Sequence, residues 1–225
     1  MKFTYYGHAC FAVESDDMKI LFDPFISGND LAKNIDIEKI EADYILVSHG
    51  HGDHVADLAP IAKRTGATVI AAYEVVAWAQ KQGVESVHPM NFGSAVFPFG
   101  KLHFLPAWHS STMPDGSAGG NPGGFLLHGL DKKFYYSGDT CLMMDMQLIP
   151  RYAKLDFAIL PIGGNFTMDV DDAIVAAQFI DCDRIIGVHY DTFGYIKIDQ
   201  EAAVKKFRTA GRELILPVIG ETIEL

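Results

Sequence analysis

Residues 48–55 read SHGHGDHV and set His49, His51, Asp53 and His54 within six positions, separated by Gly50 and Gly52. Imidazole nitrogen and carboxylate oxygen are ligand types that zinc, manganese, iron and nickel all accept. Crowding them needs a backbone that turns sharply, and glycine permits unusual dihedrals and close approach. The pattern H-x-H-x-D-H arises by chance in a chain of this composition on the order of one time in a thousand. The competing reading is a polar loop with solvated histidines.

Several apolar, strand-like runs end on a residue of the same chemistry. YILVSH ends on His49, LHFLPAWH on His109, FYYSGD on Asp139, RIIGVH on His189 and KILFD on Asp23. Strand ends that meet at one edge of a sheet make a rim for a site, and a rigid strand fixes the group it carries. His8, in YGHAC, also follows a strand end. It reads as a substrate or proton group, or as a satisfied structural histidine. Asn165, after LPIGG, is a candidate donor to substrate or an oxyanion, against the plainer role of a turn residue. Tyr190 follows His189 and offers a hydroxyl to substrate, against ordinary packing at a strand end. His88, His103 and His128 lack converging partners. Cys141, two residues past Asp139, reads as a buried structural cysteine.

The elements that must position these groups are legible from period and punctuation. Strands are expected at KFTYYG, CFAVES, KILFD, YILVS, ATVIAA, SAVFPFG, KLHFLPAW, GGFLLHG, KFYYSG, LDFAILPIGG, RIIGVH, ELILP and GETIEL. Helices are expected at ADLAPIAKRTG, YEVVAWAQKQG, LMMDMQLIPRYAK, DVDDAIVAAQFID and DQEAAVKKFRTAG. Each half runs from a β-meander into alternating strands and helices. The implied fold is α/β, with sheets packed face to face and helices outside. Residues 113–124, MPDGSAGGNPGG, read as a flexible surface loop and a first candidate for covering the site.

At 225 residues, 49% hydrophobic and 21% charged, the chain suits one globular domain over 1–225. Its net charge of −11, with no clustered Lys or Arg, argues against a nucleic-acid partner. Cys10, Cys141 and Cys182 are scattered and odd in number, which fits a reducing compartment. No run approaches the roughly 20 apolar residues of a membrane span, and the opening MKFTYYGHACFAVES does not read as a signal peptide. The expectation is a cytoplasmic protein with a small-molecule substrate and no membrane partner, with self-association left open.

The ordered series GHACF, DPFISGN, SHGHGDH, PAWHSS, SGDT, PIGGNFTM and HYDTF, spread over nearly the whole chain, resembles the metallo-β-lactamase superfamily. Within it, the chain resembles a small family of metal-dependent hydrolases related to ascorbate-6-phosphate lactonase. The resemblance implies a four-layer αββα sandwich of two mixed sheets with outer helices, and a site for two divalent metal ions. His49, His51 and His109 would hold one ion, and Asp53, His54 and His189 the other. Asp139 would bridge both, and Asp23 would orient a ligand histidine. Zinc is the first expectation for the metal, with manganese, iron and nickel also suited.

The implied chemistry is hydrolysis by a hydroxide shared between the ions, with Asp53 as the catalytic carboxylate. The bond would belong to a small ester, lactone, amide or phosphoester, including a phosphorylated sugar lactone. The alternatives are a phosphodiesterase for a small or lipid phosphodiester, and a metal-dependent binding protein without turnover. Diiron redox relatives typically carry Glu at the second motif position, where this chain has His51, and add a flavin domain.

Overall fold

Branched and aromatic residues at alternate positions build two seven-stranded sheets in the computed structural model, which describes residues 1–15 and 17–225. The turn expected between the second and third strands includes Asp16, which lies outside the described residues. The first sheet comprises β1 (Lys2–Gly7), β2 (Cys10–Ser15), β3 (Met18–Phe22), β4 (Tyr44–Leu46), β5 (Thr68–Ala72), β6 (Val87–Met90) and the C-terminal β14 (Thr222–Glu224). Its order is β14-β1-β2-β3-β4-β5-β6. The second comprises β7 (Gly93–Phe97), β8 (Gly100–Pro106), β9 (Gly123–His128), β10 (Phe134–Tyr136), β11 (Phe157–Pro161), β12 (Arg184–Val188) and β13 (Glu213–Ile215). Its order is β13-β12-β11-β10-β9-β8-β7.

Each sheet runs through three antiparallel pairings and then three parallel ones, so the loose likeness of the two halves is a shared topology. This pattern aligns β1, β3 and β4 in one sheet, and β8, β10 and β12 in the other. His8, Asp23, His49, His109, Asp139 and His189 follow the carboxyl ends of those six strands.

Two apolar clusters hold the layers together. Phe11, Phe22, Phe125, Phe134, Tyr136, Phe157 and Ile159 belong to the cluster between the sheets. Phe11 meets Tyr136 edge-on at 5.0 Å across the gap, and Phe22 meets Phe125 at 6.2 Å. The intervening residues Tyr135, Ala158 and Leu160 face the other way, into a cluster shared with two helices. These are α5 (Val170–Phe179) and α6 (Gln200–Thr209), capped by Asp169 and Asp199. On the first sheet, α2 (Leu58–Thr65) ends at Gly66, whose φ of 73° suits glycine, and α3 (Tyr73–Lys81) packs on β5 and β6. The four-layer αββα arrangement is therefore present.

Two local expectations change. LMMDMQLIPRYAK is a 3₁₀ turn over Met144–Leu148 followed by the single-turn α4 (Ile149–Tyr152). Pro150 lacks an N–H and is tolerated in a first turn, so it starts a helix here instead of sitting inside one. The segment Val87–Met90 carries no clear strand signal, yet forms β6 at a sheet edge, where Pro89 is admissible. No helix among the described residues is long and apolar enough to cross a membrane.

Candidate metal centre

The loop after β4 turns into α1 (Gly52–Val55), which places His49 and His51 before the helix and Asp53 and His54 on it. The two glycines play different parts. A Cβ on Gly50 would stand 2.3 Å from Met113 Sδ and 3.2 Å from the backbone of Gly119, so this position requires close approach. Gly52 has open space around it, and neither glycine has positive φ. The expectation that both are needed for unusual dihedrals is corrected on this point.

One oxygen of Asp139 lies among four imidazoles. Its Oδ2 is 3.0 Å from His189 Nε2, 3.3 Å from His54 Nε2, 3.6 Å from His109 Nε2 and 3.9 Å from His49 Nε2. His51 Nδ1 is 3.0 Å from His49 Nε2. Asp53 Oδ2 lies 3.0 Å from His8 Nε2. Three overlapping sets have ligand atoms close enough to hold a metal ion: His49, His51, His109; His49, His54, Asp139; and His8, Asp53, His54, His189. The seven residues expected as metal ligands are thus brought together, with His8 added at one side.

Hydrogen bonds behind the site fix which ring nitrogens face inward. Asp23 is fully buried, and its Oδ1 accepts from Ser48 N–H at 2.7 Å. Its Oδ2 accepts from Ser48 Oγ at 2.6 Å, Tyr136 Oη at 2.5 Å and His54 Nδ1 at 2.9 Å. Because Ser48 gives its proton to Asp23, its oxygen can accept from His49 Nδ1, 3.0 Å away. Both imidazoles therefore carry a proton on Nδ1 and turn Nε2 toward Asp139. Asp23 therefore lies behind His54, bonded to the nitrogen that faces away from Asp139.

These contacts test whether a metal fits. His54 Nε2 is buried without a hydrogen-bond partner among the described residues, an arrangement that costs free energy unless something binds there. Burial holds His49, His51 and His109 below the usual imidazole range, keeping them neutral as ligands must be. Burial opposes charge on His54 as well, but the carboxylates of Asp139 and Asp23 outweigh it and raise its pKa well above that range. The same field would attract a cation. Burial would raise the Asp139 pKa, yet His189 and His54 hold it well below the usual carboxylate range. The donor set fits a divalent metal.

The remaining candidates separate. His8 is 1% exposed, with Nδ1 3.0 Å from Thr192 Oγ1 and Nε2 on Asp53. Burial, then His189, lowers its pKa to about 4. Its two ring nitrogens are engaged within the protein, so the expectation of direct substrate contact gives way to a place behind Asp53. Tyr190 is buried in the cluster shared with α5 and α6 and also lines a cavity with His8 and Thr192. Asn165 is exposed with φ of 58°, the left-handed turn geometry that Asn tolerates. Cys141 is exposed rather than buried.

Residues 113–124 also differ from a loose loop. Met113 is buried against Gly50, Thr112 bridges Ala118, and Gly119 N–H donates to Ser111 O. Ser111 Oγ accepts in turn from Gly50 N–H at 3.0 Å. The loop folds onto the histidine motif, and Gly123 and Gly124 already belong to β9.

Ser48, Tyr136, Thr192 and Asp57 were not legible as site residues. Asp57 accepts from Ile26 N–H at 2.6 Å and Ser27 N–H at 2.9 Å, pinning the loop that follows Asp23. Ser48 flanks the histidine motif, which is a weak positional signal. Tyr136 reads as an ordinary strand aromatic, since its hydroxyl finds Asp23 only across the two sheets.

The chain from residue 18 to 190 matches the family model described as a beta-lactamase superfamily domain. A UPF0173 metal-dependent hydrolase from Flavobacterium johnsoniae is 54% identical, over 100% of both chains. The solved structure of Igni18, a metallo hydrolase from the hyperthermophilic archaeon Ignicoccus hospitalis, is 32% identical with a TM-score of 0.88, covering 99% of this chain and 97% of that one. An isothiocyanate hydrolase from Delia radicum gut bacteria shares the fold, with a TM-score of 0.82 at 18% identity, covering 100% of this chain and 99% of that one.

Proposed function

Since the chain belongs to the metallo-β-lactamase superfamily and is a metal-dependent hydrolase, we propose that its centre binds two divalent ions and cleaves a small ester, lactone, amide or phosphoester. The observation that supports this reading is the single Asp139 oxygen set among four Nε2 atoms, with three overlapping donor sets around it. His49, His51 and His109 would hold one ion, Asp53, His54 and His189 would hold the second, and Asp139 would serve both. Zinc is the first choice for this donor set.

Bound ions lower the pKa of water and polarise the carbonyl or phosphoryl oxygen under attack. The residues supply the rest. Asp53 is fixed at Oδ2 by His8, and its Oδ1 has no protein partner among the described residues. That oxygen accepts a hydrogen bond from the attacking water and takes its proton as the new bond to carbon or phosphorus forms. The leaving oxygen or nitrogen regains a proton when the old bond breaks. Asp23, Ser48 and Tyr136 hold His54 and His49 still, so little reorganisation is needed during reaction.

Elemental analysis of protein grown in metal-replete medium should give close to two metal equivalents per chain. Such protein should turn over at least one member of an ester, lactone, amide and phosphodiester panel. Absence of metal would refute the centre. Full metal content without turnover would leave a metal-dependent binding protein instead.

His8 acts through Asp53. In His8→Leu, affinity for the second ion is expected to fall roughly 10–100-fold, as is typical when an outer hydrogen-bond partner is lost. The ion held by His49, His51 and His109 should be retained. Chelator titration with two resolved steps checks this, and equal loss from both steps would assign His8 a general structural role.

A further inference from the structure

The segments that build the centre are 7–9, 23–30, 47–57, 106–122, 137–143, 162–169 and 189–196, and none contains Lys or Arg. Apart from Asp23, Asp53 and Asp139, their charged residues are Asp30, Asp57, Asp115, Asp169 and Asp191. A carboxylate or phosphate on the non-reacting part of a substrate would meet no basic side chain carried by these segments. Recognition of such anions ordinarily relies on Arg or Lys. Lys197, the next residue along the chain, lines a cleft with Gly163, Asp169, Asp199 and Lys206, where Lys206 already pairs with Asp171.

The same segments expose aromatic rings. Trp108 is 67% exposed, Phe166 49%, Phe193 38% and Tyr195 79%. The segments that carry them are tied to the centre or to one another through identifiable contacts. Thr140, next to Asp139, accepts through Oγ1 from Trp108 N–H at 3.0 Å and through its carbonyl from Met168 N–H at 2.9 Å. It thereby fastens the loops that carry Trp108 and Phe166. Phe193 lies 5.2 Å from the His8 ring, edge-on, and Tyr195 lies 6.2 Å from Phe166. Rings left in water beside a polar centre gain free energy when an apolar group covers them.

We propose that the substrate is neutral away from its scissile bond and carries an aromatic or similarly bulky apolar group, which rests on Phe166, Phe193 and Tyr195. This rests on the hydrolase reading above. It leaves a phosphorylated sugar lactone unprovided for, because its distal phosphate has no partner.

The test compares kcat/KM for three γ-butyrolactones on the metal-loaded protein: unsubstituted, phenyl-substituted and phosphomethyl-substituted. The phenyl lactone should be favoured over the unsubstituted one by about tenfold, the gain from covering part of one ring. The phosphorylated lactone should be the poorest. In Phe166→Ser/Tyr195→Ser, with metal content verified, the phenyl-to-unsubstituted ratio should fall toward one. Preference for the phosphorylated lactone, or a ratio the double variant does not move, would overturn the proposal while leaving the hydrolase intact. A variant that only changes oligomeric state, measured by light scattering, would assign the rings to a contact between copies and also overturn it. No turnover of any lactone, nor of the wider ester and phosphodiester panel, would remove the hydrolase reading itself.

Discussion

Replacing Asp139 by asparagine is expected to reduce hydrolysis by at least about 10²–10³-fold, the range seen when one preorganised polar group is lost from an active site. The side chain keeps its shape, so the loss isolates charge. Asp139 is 3% exposed and brings a carboxylate to the point where His49, His54, His109 and His189 converge. Two cations placed a few ångströms apart repel each other, and a shared carboxylate offsets that repulsion. An amide cannot. The variant should therefore bind fewer than two metal equivalents while keeping the far-ultraviolet circular dichroism of the parent. Turnover within about tenfold of wild type, well short of the expected range, would mean that Asp139 does not serve the ions. A variant that loses activity but keeps both metals would move its role from holding ions to shaping the reaction. His49→Ala provides the companion measurement, with the loss expected chiefly in the ion it shares with His51 and His109.

The clustering of the candidate ligands could be read in advance because its information is local. His49, His109, Asp139 and His189 each end an apolar run, and strands aligned in parallel put such ends on one edge whatever the details of the core. The alternation of Phe134, Tyr135 and Tyr136 between two clusters likewise follows from a period of two. What could not be read depends on contacts between distant segments. Tyr136 and Thr192 act only through a hydroxyl that meets its partner in three dimensions. Tyr190 looked like a site residue because it follows His189. The backbone at His189 has φ of 57°, and Tyr190 joins the packed cluster behind the site. Residues 113–124 looked loose because Gly, Pro and Ser dominate them. Met113 supplies an apolar anchor, and Gly119 permits the approach to Ser111 that closes the loop on Gly50.

Asp23 is where stability and metal binding should prove inseparable. Asp23→Asn is expected to lower stability by about 3–5 kcal/mol, the usual cost of breaking a buried, fully paired charged group. For a chain of this size that corresponds to a fall in Tm of roughly 10 °C. Asp23 follows β3, while Tyr136 lies on β10 in the opposite sheet, so their hydrogen bond ties the two sheets at the rim. An amide can satisfy some of the four donors that now converge on the carboxylate, but its NH₂ must face at least one of them. Asparagine is the informative substitution because Asp23 has φ of 42°, a left-handed conformation that Asn tolerates. Alanine would add backbone strain to the loss of hydrogen bonds. Without a carboxylate at Oδ2, His54 no longer has a fixed Nδ1 proton, and its Nε2 is no longer held toward Asp139. Affinity for the ion that His54 binds should then fall roughly 10–100-fold. Calorimetric melting of wild type and variant, each with metal and after chelation, separates the two effects. Metal should raise the Tm of the variant less than that of wild type, because an ion bound more weakly stabilises the folded state less. If chelation removed the whole difference between the two proteins, Asp23 would act only through the metal. If metal raised both melting temperatures equally, the orientation of His54 would not depend on Asp23.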